Sequence, residues 1–140
     1  MLSQTAEYAL RAALYLAREP HRRPVTADTI ARALGAPSNY MSKTLNALAK
    51  AGILIGMRGP TGGFMLVRDP AELTVADVVG TFDEPSQRPM CLLGGRPCNS
   101  QAPCQAHVRW MAVTDAMRAP LTETTVADLL TDVVELDEAV

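Results

Sequence analysis

The chain lacks any apolar run long enough to cross a bilayer and shows no secretory leader, which argues against a membrane span and for a reducing, cytoplasmic setting. It lacks an even cysteine count: three thiols would leave one unpaired in any disulfide framework, so a stapled extracellular fold is not expected. A phosphate-cradling glycine loop is missing, and no third residue or nucleophile motif accompanies its Cys and His. An enzyme acting on a small-molecule substrate is therefore the least favoured class. Net charge is nearly absent as well, −2 over 140 residues. That length allows one compact domain, or one small domain plus a dimerisation element.

The near-zero charge conceals an asymmetry. Residues 1–70 hold nine Lys/Arg against four Asp/Glu, and residues 71–140 hold four against eleven. The basic half suits an anionic partner, nucleic acid foremost, and the acidic half would face away from it.

Ser3 can cap a helix carrying Ala6, Leu10, Ala13, Leu14 and Ala17 at helical spacing and ending before Pro20. After the basic stretch His21-Arg22-Arg23-Pro24, Thr26 is a good N-cap for a short helix with Ile30, Ala31 and Leu34 inward, closed by Gly35. Pro37 and Ser38 reset the chain. Ser38 is expected to cap a third helix with Met41, Leu45, Leu48 and Ala49 inward and Asn39, Tyr40, Ser42, Lys43 and Asn46 outward, closed by Gly52. Two helices joined by a tight glycine-containing turn make a helix-turn-helix.

Strands are expected at 53–58 and 64–68, with Gly59-Pro60-Thr61-Gly62-Gly63 as the tip of a hairpin. A helix-turn-helix followed by a hairpin is a winged helix. The third helix would bring short polar side chains, Ser38, Asn39, Tyr40, Ser42 and Lys43, to base edges in the major groove of double-stranded promoter DNA. The wing would set Arg58, Gly59, Thr61 and Gly62 against phosphate or the minor groove. Each of these residues alone reads equally well as a solvated face, and the ring of Tyr40 could pack on the first helix; jointly they favour DNA.

Beyond the wing, Thr74-Val75-Ala76-Asp77 and Thr125-Val126-Ala127-Asp128 are near-identical helix starts, read as repeated capping chemistry. Between them lies the pattern C-x6-C-x5-C-x2-H, formed by Cys91, Cys98, Cys104 and His107 among prolines and glycines. Thiolates bind soft or borderline cations and imidazole suits iron and zinc, so these residues are candidate ligands. From about Gln105 a further helix carries Val108, Met111, Ala112, Met117 and Leu121, interrupted or kinked at Pro120. In so small a chain that stripe is most simply a homodimer interface, which would match the twofold symmetry of an operator.

The expected fold is mainly α with a small β-hairpin: a winged helix-turn-helix domain at 1–80, a cysteine-rich loop at 81–104, a dimerisation helix and C-terminal helix at 105–133, and a frayed acidic tail at 134–140.

Over nearly its whole length the sequence resembles the bacterial winged-helix iron-sulfur regulators typified by IscR and NsrR. The resemblance is carried by Glu7-Tyr8-Ala9-Leu10-Arg11-Ala12, by the helix from Tyr40 through Leu45 to Ala51-Gly52, by Arg58-Gly59-Pro60-Thr61-Gly62-Gly63-Phe64, and by the three cysteines. It implies a homodimeric transcription factor whose cysteines hold an iron-sulfur cluster, 2Fe-2S or 4Fe-4S, that controls affinity for promoter DNA. His107 resembles the histidine that completes the two-iron site of one branch. Glu7 occupies the place of the acidic ligand that another branch supplies from the partner subunit's first helix. From its own position Glu7 also reads as a first-turn carboxylate favoured by the helix dipole. A structural zinc site and a metal-free thiol switch are the alternatives.

Overall fold

A computed structural model describes residues 2–19, 22–83 and 91–137, with side chains as far as residue 131. His21 of the basic stretch, residues 84–90 of the expected cysteine-rich segment and residues 138–140 of the tail lie outside the described residues.

The first helix, α1 (Gln4–Ala17), opens where the Ser3 hydroxyl accepts from the Ala6 N–H at 3.2 Å. Ala6, Ala9, Ala12 and Ala13 are fully buried along it, with Leu14 and Leu16, while Leu10 and Ala17 sit half-buried at the edge. Small side chains let α1 run through the middle of the molecule, where it packs on five other elements. The second helix, α2 (Ala27–Leu34), is capped by Thr26 and ends at Gly35, whose φ of 66° is the left-handed conformation that glycine adopts without penalty.

The third helix, α3 (Ser38–Lys50), corrects one expectation. Pro37 holds the cap position with extended backbone, so Ser38 is the first helical residue and caps nothing. Its hydroxyl donates to the Asp28 carboxylate at 2.6 Å, a charge-assisted bond that ties the start of α3 to α2. Met41, Leu45 and Leu48 are fully buried on the inner face, as expected.

The wing is the antiparallel pair β1 (Leu54–Met57) and β2 (Gly63–Leu66), with Met57 opposite Gly63 and Leu54 opposite Leu66. It is shorter than expected, and Gly63 belongs to β2 and not to the tip. A bridge from Val25 to Phe64 ties the hairpin to the start of α2: the Val25 N–H donates to the Phe64 carbonyl at 2.9 Å, and the Phe64 N–H to the Val25 carbonyl at 2.7 Å.

The two repeated caps begin α4 (Val75–Val79) and α6 (Val126–Asp137), and they stand side by side through an isolated antiparallel bridge between Thr74 and Thr125. The Val75 N–H donates to the Thr124 carbonyl at 2.9 Å and the Val126 N–H to the Leu73 carbonyl at 2.8 Å. Leu73 and Val126 are fully buried in the main core. Helix α6 carries the chain into the expected tail as far as Asp137. In its cap, the Thr125 backbone N–H, with a further hydrogen bond from the Thr125 side chain, holds the Asp128 carboxyl below the ordinary carboxylate range. A lowered folded-state pKa gives stability that is present above the unfolded value and lost as pH falls through the folded one. The stability difference between wild type and Asp128→Asn should therefore be constant near neutrality and close in acid when followed by thermal melts. A gap unchanged in acid would assign the difference to packing.

The helix α5 (His107–Glu123) begins two residues later than expected and runs unbroken through Pro120. The proline removes one ladder hydrogen bond, and the last turn is closed by the Thr124 N–H on the Pro120 carbonyl at 3.2 Å. None of its residues is buried within the chain: Val108 is 79% exposed, Met117 54% and Val113 49%. Only Leu121 joins a core, a small cluster around Ala6, Val75 and Val79.

Candidate nucleic-acid interface and cysteine site

The inner face of α3 is fixed by its three buried apolar residues, so its other face is presented outward. Ser38, Asn39, Lys43 and Asn46 are exposed and Ser42 is half-buried. The wing adds Arg58, Gly59 and Thr61, all exposed, with Gly62 partly covered. Among the described residues neither Lys43 nor Arg58 has an ion-pair partner, so both cations are available to phosphate. A turn in which the Gly62 N–H donates to the Gly59 carbonyl at 3.0 Å shapes the tip. Gly62 tolerates no side chain, since a Cβ there would fall 2.2 Å from the Met57 carbonyl oxygen.

Tyr40 departs from the rest of the group. Its hydroxyl is hydrogen-bonded to that of Thr5, and its ring lies edge-on to Tyr8 with centroids 5.7 Å apart. It holds α3 against α1, with Arg11 over the Tyr8 ring at 5.9 Å. Thr5, Tyr8 and Asp28 are thus supports of the α3 surface that periodicity alone did not single out. A Tyr at helical spacing from the inward residues was the available signal.

All three cysteines are free thiols, with Cys91 and Cys98 buried and Cys104 half-buried. The loop folds them together. The Cys91 N–H donates to the Arg96 carbonyl at 2.9 Å, the Gly94 N–H returns to the Cys91 carbonyl at 2.8 Å, and Gly94 and Gly95 take φ values of 77° and 75° that suit glycine. The Leu93 backbone N–H beside Cys91 holds its thiol below the usual range, with help from the Cys104 side chain and the Arg96 charge and against the effect of burial. Burial pushes the Cys98 thiol up, and the neighbouring Cys91 and Cys104 add to the rise.

Thiolates suit a soft or borderline metal, so the residue types fit an iron-sulfur cluster or zinc. Among the described residues no group of three or more His, Cys, Asp or Glu is arranged to hold a metal ion, so the three thiols do not form a ligand set within one chain and neither His107 nor Glu7 completes one with them. His107 is half-buried, and its backbone N–H donates to the Cys104 carbonyl at 3.0 Å. Glu7 is exposed in the first turn of α1. No helix among the described residues is long and apolar enough to cross a membrane.

Known proteins carry the same organisation. A protein of Aquifex aeolicus named as an HTH-type transcriptional regulator is 32% identical over 132 residues, covering 93% of this chain and 91% of the relative. The HTH-type transcriptional regulator IscR of Photorhabdus laumondii is 28% identical over 138 residues, covering 99% and 84%. Among solved structures, CymR, the global cysteine regulator of B. subtilis, superposes with a TM-score of 0.78 at 24% identity, over 94% of this chain and 96% of that one. IscR of T. potens superposes with a TM-score of 0.74 at 24% identity, over 95% and 88%. At that identity the two structures establish the fold, a winged helix. The model of the Rrf2 family, described as an iron-dependent transcriptional regulator, matches residues 2–132. With an outward α3, a wing bearing Arg58 at its exposed tip and relatives that are regulators and not enzymes, the chain belongs to the Rrf2 family of DNA-binding transcriptional regulators.

Proposed function

We propose that this regulator works as a cytoplasmic homodimer whose affinity for promoter DNA is set by an iron-sulfur cluster on Cys91, Cys98 and Cys104, with His107 or Glu7 as the fourth ligand. The observation that supports the proposal is a loop that leads directly into α5 and buries Cys91 and Cys98 beside each other and near Cys104. When bound, the cluster would supply a redox-active centre whose oxygen or nitrogen ligand exchanges more readily than its thiolates. The chain's own part is mechanical. A loop closed by the Cys91 N–H on the Arg96 carbonyl leads to Cys104, and the bond from the His107 N–H to the Cys104 carbonyl ties that cysteine to the start of α5. The exposed apolar residues of α5, Val108, Val113 and Met117, suit cover by a second copy, and the tilt of two such helices sets the separation of two reading heads over successive major grooves.

The test is an absorption spectrum with iron, acid-labile sulfide and zinc assays on protein isolated without oxygen. A brown protein with matched iron and sulfide is expected. A colourless protein with stoichiometric zinc would replace the sensor by a structural site, and one that takes up no metal on anaerobic reconstitution would remove the metal altogether.

A second reading rests on the same contacts. Peroxide could oxidise the Cys91 thiolate to a sulfenate with loss of water, and the Cys104 thiol could then displace that oxygen as water to close a disulfide. It requires metal-free protein whose DNA affinity changes reversibly with peroxide and reductant.

A further inference from the structure

We infer that Arg68 is a positioning residue for DNA binding: it locks the root of the wing to the paired helix caps and does not itself contact DNA. Arg68 lies just beyond β2, where the Val67 N–H still donates to the Ile53 carbonyl at 3.1 Å. Its guanidinium fork is occupied on both prongs. Nη2 donates to the Glu72 carbonyl at 2.6 Å, and Nη1 stands 3.3 Å from the Asp77 carboxylate. The same Asp77 oxygen accepts from the Thr74 N–H at 3.0 Å, closing the capping box of α4. Thr74 is in turn bridged to Thr125.

A path of hydrogen bonds, with one peptide link between Val75 and Thr74, therefore runs from the Thr124 carbonyl, two residues before α6, to the wing: Thr124 to Val75, Thr74 to Asp77, and Asp77 to Arg68. The far end of this path is anchored by Leu73 and Val126 in the core, so the caps form a fixed post and the wing is the part being held. Arg58, by contrast, has no ion-pair partner among the described residues. A planar fork already committed to a carbonyl and a carboxylate is a poor phosphate ligand beside a free one. Arg68 and Asp77 are 43% and 40% exposed, and pairs so exposed contribute little to stability, so substitution leaves the fold in place. What changes is the order of the wing, which DNA must then restore at each binding event.

The inference rests on the wing's part in DNA binding and is independent of whether a cluster forms. The experiment measures binding of the full-length chain to a short mixed-sequence DNA duplex across a salt series. Arg58→Ala should reduce the slope of log affinity against log salt by about one, as loss of a phosphate contact does. Failure of that control would remove the wing from DNA binding and this inference with it. Arg68→Ala and Asp77→Ser should each weaken binding roughly three- to tenfold with the slope unchanged, and the double variant should be no weaker than either single one. Arg68→Lys should stay weak, because an ammonium cannot hold both partners in one plane. In hydrogen exchange on free Arg68→Ala, the Phe64 and Val67 amides should exchange faster while those of Leu45 and Leu48 do not. A reduced salt slope in Arg68→Ala that Arg68→Lys restores, wild-type binding by Asp77→Ser, or faster exchange throughout α3 would each overturn the assignment.

Discussion

Alanine at Gly63 should lower stability by about 3 kcal/mol and abolish tight DNA binding. The added Cβ would lie 2.5 Å from both the carbonyl carbon and oxygen of Val25 and 2.8 Å from the Thr26 nitrogen, all backbone atoms with no rotamer to yield. Gly63 also holds a φ of 143°, which L side chains rarely adopt. Relief requires the hairpin to pull away from Val25, breaking the two bridge hydrogen bonds and freeing the cap of α2 beside them. Gly59→Ala is the matched control: its φ of 107° is also strained, but nothing stands within 4 Å of its Cβ, so only the backbone term remains, about 1–2 kcal/mol. Urea denaturation and DNA binding of the two variants check this. Equal losses in both would mean that strain alone matters and that the contact with Val25 does not.

The second large effect concerns the sensor. Cys98→Ala should leave the winged helix folded, since Cys98 belongs to neither core cluster. It should nevertheless reduce bound iron and sulfide after anaerobic reconstitution to background. If the cluster sets operator affinity, the difference between reconstituted and metal-free protein should vanish in this variant; couplings of this type usually amount to roughly 5–150-fold. A Cys98→Ala protein that keeps both its colour and its regulated binding would sink the cluster-switch proposal. Normal colour with wild-type binding in both states would separate metal uptake from DNA control.

Most of the reading head was legible from periodicity and punctuation. Ile30, Met41, Leu45 and Leu48 mark two amphipathic faces, and Gly35 and the run around Gly62 mark the turns, because local backbone chemistry dictates each of them. Departures arose where a nonlocal partner decided the outcome. Ser38 looks like a cap, but Pro37 takes that position and the Ser38 hydroxyl donates to Asp28 on a different helix. Tyr40 sits at an outward position until Thr5 and Tyr8 arrive from α1. Arg68 reads as a strand-edge charge until α4 brings Asp77 beside it. The twin Thr-Val-Ala-Asp starts were recognised as caps, yet nothing in either tetrapeptide announces that the two would pair. In the cysteine loop the donor types were plain from spacing, whereas completion of the ligand set depends on groups that one chain does not bring together.

The Thr74–Thr125 bridge gives the molecule an architecture like a clasp on a cord. After α4, whose Val78 is itself in the core, the cysteine segment and α5 make an excursion that this bridge brings back to the core. The entropy of closing such a loop grows only logarithmically with length, roughly 0.6 kcal/mol for each doubling. Evolution can therefore lengthen, shorten or re-equip this excursion with little effect on the domain that reads DNA. One scaffold can thus acquire different detectors by exchanging a single contiguous stretch of gene, while α6 returns each time to the same seat against α1.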